Sequence, residues 1–180
     1  MANIKITSPV GEALWPRLNS PDTKFHEHGL YKVDLAIPAK EAKAFIDTVS
    51  NVQKAVKGKP EMSWVRKEVD EDGKETGRVV LRFKAKNILK KDGTVWDRKP
   101  TIVDTEGDRM VETIGNGSKI RVAAEIYTAV VNGKVFLQLQ PLAVQVHELK
   151  EYKPDAGIDF KVKDNDEVEA LPESEDESLF

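Results

Sequence analysis

The stretch RVVLRFKAK, Arg78 to Lys86, holds four cations on one side of an extended chain. Period-two alternation sends Arg78, Arg82, Lys84 and Lys86 one way, with Val80 among them, and Val79, Leu81, Phe83 and Ala85 the other. Same-face side chains on a strand stand about 7 Å apart, close to the phosphate spacing of an extended single nucleic-acid strand. Two later stretches repeat the arrangement. In SKIRVAAEIYTAVV, Ile120, Val122, Ala124 and Ile126 point inward, while Lys119, Arg121, Glu125 and Tyr127 point outward. In KVFLQLQ, Val135, Leu137 and Leu139 point inward, while Lys134, Phe136, Gln138 and Gln140 point outward. Tyr127 and Phe136 thus join faces otherwise basic or amide-bearing. Stacking a base on an aromatic ring contributes roughly 1–3 kcal/mol whatever the base. The chemistry this pattern can do is phosphate neutralisation by Arg82, Lys84, Lys86, Lys119 and Arg121, with stacking on Tyr127 and Phe136 and with Lys134 on the same face. Trp96, beside Arg98 and Lys99 after a turn, is the best placed of the three tryptophans for a base; Trp64 begins a strand and reads as core; Trp15 fits either role. The competing reading is that outward Lys and Arg merely solubilise the surface and protect strand edges.

Other chemistries fit less well. His26 and His28, with His147, have zinc-like spacing, yet the chain has no Cys and no HExxH. Asp70-Glu71-Asp72-Gly73 reads as a hairpin turn, because an EF-hand frame starting at Asp70 puts Glu75 where Gly is required and Leu81 where Glu is required. Asp104, Glu106 and Asp108 could hold Mg²⁺ as in a nuclease, but they sit on a turn with no paired carboxylate on a strand nearby. GNGSK is not a P-loop, since its Lys follows the Ser. No nucleophile–His–acid set stands out. The expectation is a protein that is not an enzyme and holds no metal or cofactor. Duplex DNA needs an element that enters a groove, and the one strong helix carries mixed charge.

The elements that must position these residues are mostly strands. GLYKVDLAIP alternates, with Tyr31, Val33, Leu35 and Ile37 on one face. Residues 39–57 form the single strong helix, with Ala42, Phe45, Ile46, Val49, Val52 and Val56 on one stripe and GKP closing it. Residues 4–18 read as an extended segment broken by Pro9, Gly11 and Pro16, followed by a polar turn over 19–29. SWVRKEV and RVVLRFKAKNI flank DEDGKETG as a hairpin; TVWDRKPTIVD follows the KKDG turn, and TEGDRMVETIGNG is a loop. The last two strands meet at Asn132-Gly133, the strongest hairpin signal in the chain. Short strands with one helix predict a mainly β domain over residues 1–150. A five-stranded Greek-key OB-fold barrel suits the count best.

Charge separates that body from the C-terminal segment. The chain has 180 residues, 28 basic and 31 acidic, for a net charge of −3. Eight acids and no Lys or Arg lie between Asp164 and Phe180, so residues 1–163 hold 28 basic residues against 23 acids (31 less 8), a balance of +5. Low hydrophobicity and single-sign charge predict disorder from Asp164 on, with 151–180 as linker and acidic tail. No run of 18 apolar residues suggests a membrane span, and the opening MANIKITSP has no apolar core of a secretory leader. The absence of Cys fits a reducing compartment.

Four stretches, in order, resemble the single-stranded DNA-binding proteins of bacteriophage replisomes that carry one OB domain and an acidic tail. They are GLYKVDLAIP before the helix, TIVDTEG at the V-D-x-x-G turn, GNGSKIRV at the strand entry and VFLQLQPLAVQVHEL as closing strand. A tail ending in Phe180 completes the set. The resemblance implies coating and protection of single strands in phage replication, recombination and repair, in the cytoplasm of the infected bacterium. It implies Lys119 and Arg121 as DNA contacts by position. It also implies partners: the replicative DNA polymerase, the helicase-primase and a second copy of the chain. Glu173, Glu175, Asp176, Glu177 and Phe180 form the partner-binding tail, which can imitate the ligand with carboxylates for phosphates and Phe180 for a base. Alternatives from other classes are a phage metal-dependent nuclease or resolvase, and a protein-binding OB module.

Overall fold

The computed structural model describes residues 4–151. Its elements, in chain order, are β1 (Ile4–Thr7), β2 (Gly11–Asp22), β3 (Leu30–Pro38), α1 (Ala39–Lys54), β4 (Lys59–Pro60), β5 (Val65–Val69), β6 (Glu75–Lys86), β7 (Ile88–Leu89), β8 (Val95–Trp96), β9 (Thr101–Val103), β10 (Lys119–Val131) and β11 (Lys134–Glu148). Strand pairing runs β10–β2–β3–β6–β11 and returns from β11 to β10, so five strands form a closed ring. The interior of that ring is the core, and alternation decides what fills it. Val33, Leu35 and Ile37 of β3, Leu81 and Phe83 of β6, Ile120, Val122 and Ala124 of β10, and Leu137 and Leu139 of β11 are all buried there. These are the inward faces that the sequence pattern predicts.

Two joints close the ring. β10 and β11 pair antiparallel along their full length through an Asn132-Gly133 turn whose residues have φ of 52° and 78°. Positive φ at both central positions gives the twist that matches the strands, and Asn-Gly tolerates it. β6 meets β11 in parallel, with Phe83 beside Leu139. β1 and β2 follow one edge of β10, split at Ser8. There the Ser8 amide donates to the Val122 carbonyl at 2.8 Å, and the Val122 amide donates to Ser8 Oγ at 2.9 Å. Gly11 then lets β2 cross closely over β3, since a Cβ at that position would lie 2.6 Å from Ile37 Cγ1 and 2.7 Å from the Ala36 carbonyl oxygen.

The helix packs over one end of the ring. Ala42, Phe45, Val49 and Gln53 of α1 are buried, and the Phe45 ring lies 6.3 Å from that of Phe83. α1 ends at Lys54, three residues before the predicted limit; the Val56 amide already turns back to the Gln53 carbonyl at 3.2 Å. Gln53 falls on the buried stripe although it is polar, because three partners meet it there. Its Nε2 donates to the carbonyls of Glu61 (2.8 Å) and Val135 (2.9 Å), and its Oε1 accepts from Trp64 Nε1 (3.1 Å). One side chain thereby ties α1 to the segment after β4, to β11 and to Trp64, which is core as its position in the sequence suggests.

Two stretches differ from expectation. β2 does not break at Pro16 but runs from Gly11 to Asp22, shortening the predicted turn. Its register with β3 shifts by one residue between Leu14↔Asp34 and Arg17↔Lys32, so Trp15 and Pro16 sit in a bulge where the missing proline N–H costs no ladder bond. TVWDRKPTIVD splits into β8 and β9, because Asp97 and Arg98 are drawn into side-chain contacts. Tyr31 Oη donates to Asp97 Oδ1 at 2.6 Å and the Arg98 amide donates to Asn87 Oδ1 at 2.7 Å. Burial, with the Asp97 carboxylate beside it, pushes the Tyr31 phenol well above its usual range. Among the described residues, no helix is long and apolar enough to cross a membrane.

Gln53→Leu keeps the side-chain volume but strands the Trp64 indole N–H and the Glu61 carbonyl, while the Val135 carbonyl keeps the Glu61 amide at 2.9 Å. Denaturant unfolding should show a loss of about 2–3 kcal/mol, the cost of buried polar groups left unpaired.

Candidate nucleic-acid interface

The outward side of β6 divides at Val80. On the early side, Arg78 is fully engaged. Its Nε and Nη2 bind the two Glu68 oxygens at 2.7 and 2.8 Å, and its Nη1 binds Glu12 Oε1 at 2.7 Å. Val80 is only 1% exposed, between Ala36 and Arg66 in register. Arg78 is thus a clamp joining β2, β5 and β6, unlike the later cations on the same face.

On the later side the charge is less balanced. Arg82 Nε lies 3.6 Å from Asp34 Oδ1, and Arg66 Nη2 lies 3.3 Å from Asp34 Oδ2, so two guanidiniums share one carboxylate. Lys84 and Lys134 form no ion pair among the described residues. Both stand close enough to Glu61 to act on it: that carboxyl is held below its usual range, first by hydrogen bonds from the Ser63 hydroxyl and amide, then by the Lys134 and Lys84 charges.

Arg82 and Lys84 border a depression of about 200 Å³ whose other walls include Tyr127, Phe136 and Gln138, with Trp64 also lining it. Tyr127 pairs with Gln138 and Ala129 with Phe136, so the two aromatic rings are diagonal neighbours on the outward face of the β10–β11 hairpin. They are 55% and 40% exposed. Arg82 and Lys84 also border a second depression, of about 450 Å³, with Leu14, Trp15, His26 and Lys32. Trp15 and Lys32 in turn border a third, also about 450 Å³, with Arg17, Lys24 and Phe25. The three adjoin through shared walls. They make one track that crosses β11, β6, β3 and β2, about 15 Å over three inter-strand spacings.

The remaining residues singled out by sequence fall at different distances from this track. Lys86 is exposed at the far end of β6, opposite Leu30. Trp96 is half-exposed on the β7–β8 hairpin, with the Arg98 guanidinium 5.1 Å from its ring centre. Arg98 donates to Gln140 Oε1 and Gln140 Nε2 donates to Gln138 Oε1 at 2.8 Å, so polar contacts link Trp96 to the first depression. Those contacts also bury Gln140, which points outward as predicted. Lys119 and Arg121 share the outward side of β10 with Tyr127, but Arg121 is six residues away, about 20 Å of strand. Arg121 lines a separate depression with Thr7 and Gln145, and its Nε donates to the Ser8 carbonyl at 3.2 Å. Lys119 pairs in register with Glu12 and Glu148. The structure therefore places these two apart from the others: alternation fixes the side of a strand a residue faces, not the end at which a groove forms. The Gly115 and Gly117 amides donate to the carbonyls of Lys150 and Ala13, both at 2.7 Å. Glu173, Glu175, Asp176, Glu177 and Phe180 lie outside the described residues.

Sequence reasoning passed over Trp15, Phe25, Arg17, Lys24 and Lys32 as parts of one surface. Counting by twos from Ala13 turns Trp15 inward; only the extra residue of the bulge turns it out, and Trp15-Pro16 inside a strand was the available signal. The metal candidates do not converge: among the described residues no three His, Asp or Glu side chains group as ligands. Asp104 Oδ1 accepts the amides of Glu106 and Asp108 within its own turn, and His147 Nε2 lies 2.9 Å from Gln145 Oε1.

Comparison with known proteins gives a consistent architecture. The fold is similar to the crystal structure of gp2.5, a single-stranded DNA-binding protein encoded by bacteriophage T7, with a TM-score of 0.66 and 23% identity, covering 93% of this chain and 100% of that one. It is also similar to the single-stranded DNA-binding protein of bacteriophage Enc34 in complex with single-stranded DNA, with a TM-score of 0.59 and 16% identity over 82% of this chain and 88% of that one. A C-terminally truncated form of the Enc34 protein matches with a TM-score of 0.60 and 15% identity over 82% and 87%. No protein-family model and no curated protein matches the sequence. The described residues are mainly β with one helix, and their five-strand ring is OB-fold-like.

The Arg78 clamp gives the fold a defined acid response. Arg78 hydrogen bonds are the main cause holding the Glu68 carboxyl below its reference value of 4.5. A carboxyl depressed in the folded state stabilises fully above its unfolded pKa and loses that contribution as pH falls through the folded value. Thermal stability should therefore decline as pH drops below about 4.5. Glu68→Gln should lower stability at pH 7 and flatten that decline.

Proposed function

We propose that this chain is a non-enzymatic, phage single-stranded DNA-binding protein that binds its ligand along the track across β11, β6, β3 and β2. The observation that carries the reading is one depression: Arg82 and Lys84, with little opposing charge, share it with the exposed rings of Tyr127 and Phe136. Cations at phosphate spacing beside open aromatic faces suit a strand whose bases are unpaired, and select weakly among sequences. Duplex DNA would present no free bases to those rings. The likeness to the T7 and Enc34 proteins, themselves single-stranded DNA-binding proteins, supports this reading.

The finer assignments belong to the same proposal. The ring is a five-stranded Greek-key OB barrel, residues 1–150 are the DNA-binding domain and 151–180 a linker and tail. Arg82, Lys84, Tyr127 and Phe136 form the centre of the site, with Lys134 at its rim and Lys86 and Trp96 on its flanks. Lys119 and Arg121 engage DNA only where a longer strand continues around the ring. The acidic tail, with Phe180 as anchor, competes for the groove and recruits the replicative polymerase, the helicase-primase or a second copy. The setting is the cytoplasm of the infected host, in replication, recombination and repair.

Titration of full-length protein with fluorescent oligo-dT tests the reading. Wild type should bind oligo-dT far more tightly than a duplex of equal length, with affinity falling steeply as salt rises. Arg82→Glu/Lys84→Glu should lose more than about tenfold in affinity and reduce the salt slope by about 1.4, two contacts at roughly 0.7 each. Lys119→Glu/Arg121→Glu should lose less on a short oligonucleotide. Equal affinity for duplex and single strand, or an unchanged Arg82→Glu/Lys84→Glu variant, would remove the proposal and favour a protein-binding role.

A further inference from the structure

Trp15 combines three features that core packing does not require. Its φ is 51°, a left-handed conformation that costs a bulky residue on the order of 1–2 kcal/mol. It is 73% exposed, so its ring gains little burial against the protein. Its amide is held from across the ring by Asn116 Oδ1 at 3.0 Å. A strained backbone presenting an indole to solvent points to a use for that indole.

The position of the ring suggests the use. Trp15 is the residue common to the second and third depressions, together with Lys32, so the indole stands as a wall between two spaces of about 450 Å³ each. Lys32 carries a partial counter-charge from Asp22 at 3.6 Å, while Arg17 and Lys24 add cations on the far side. Phe25, 77% exposed, borders that far space.

We infer that Trp15 is a preorganised stacking platform for the bases of single-stranded DNA, with one base on each indole face, and that it extends the site beyond the depression at Tyr127 and Phe136. The inference rests on the reading of the track as a single-strand site. Arg82 and Lys84 place phosphates between the two aromatic stations, and Lys32 and Arg17 continue the path. The bulge fixes the platform before DNA arrives, which spares the ordering that a flexible tryptophan would require on binding. Asn116, in the GNGSK turn before β10, positions Trp15 by accepting a hydrogen bond from its amide.

Trp15→Gly separates binding from folding, because Gly accepts φ near +50° without strain. Full-length Trp15→Gly should melt at or above the wild-type temperature, yet bind oligo-dT at least about thirtyfold more weakly, the loss of two stacked bases, with the salt slope unchanged. Trp15→Phe should recover most of the affinity. In a Trp96→Phe background, leaving buried Trp64 and exposed Trp15, oligo-dT should quench most of the accessible tryptophan fluorescence. Wild-type binding with unchanged affinity in folded Trp15→Gly would overturn the platform while leaving the central site intact. A wild type that fails to bind oligo-dT would overturn the single-strand reading and the platform with it.

Discussion

Phe83 and Leu139 lie side by side where β6 and β11 run parallel, and that register sets what both strands show on either side of the ring. With both residues inward, pleating must send Arg82 and Lys84 outward beside Gln138. A slip of one residue would bury two cations and expose Phe83. The core therefore enforces the arrangement of the surface. The β10–β11 pairing then brings Tyr127 and Phe136 to the same region, because the Asn132-Gly133 turn fixes which residues face each other. The aromatic rings need no special device to reach the cations; closing the ring suffices.

In the proposed reading the same strand serves both structure and ligand by changing partners along its length. Arg78 meets two carboxylates and becomes a joint between strands. Arg82, four residues on, shares one carboxylate with Arg66 and keeps capacity for another anion. Replacing a partnered cation changes stability; replacing a poorly partnered one changes binding and its salt dependence. Gln53 supports the site from the core, since it bonds Trp64, which lines the first depression, and the carbonyl of Val135, the residue before Phe136 in that lining. The site depends on buried amide chemistry as well as on surface charge.

Much of this was legible in the sequence. Alternation in β3, β6, β10 and β11 gave the correct inward and outward faces, the Asn-Gly turn marked the long hairpin, and one apolar stripe marked α1. Less legible was anything that depends on curvature. Lys119, Arg121 and Tyr127 look equivalent in a linear reading, yet the ring carries them to different places. Trp15 was hidden by a single extra residue, whose effect is to invert the facing of everything after it. Gln53 carried no signal of its buried role, because its partners Glu61, Trp64 and Val135 lie outside the helix. The cation row was visible as a pattern, but only the folded chain separates Arg78 from Arg82.

In the proposed complex, single-stranded DNA lies across the strands, from the β10–β11 hairpin over β6 to the bulge of β2. Photocrosslinking of oligo-dT carrying 5-bromodeoxyuridine, with the modified peptides mapped by mass spectrometry, reads that path residue by residue. Crosslinks should concentrate at Tyr127, Phe136 and Trp15. Crosslinks confined to α1, or to the Arg121 end of β10, with none at those three rings, would contradict it.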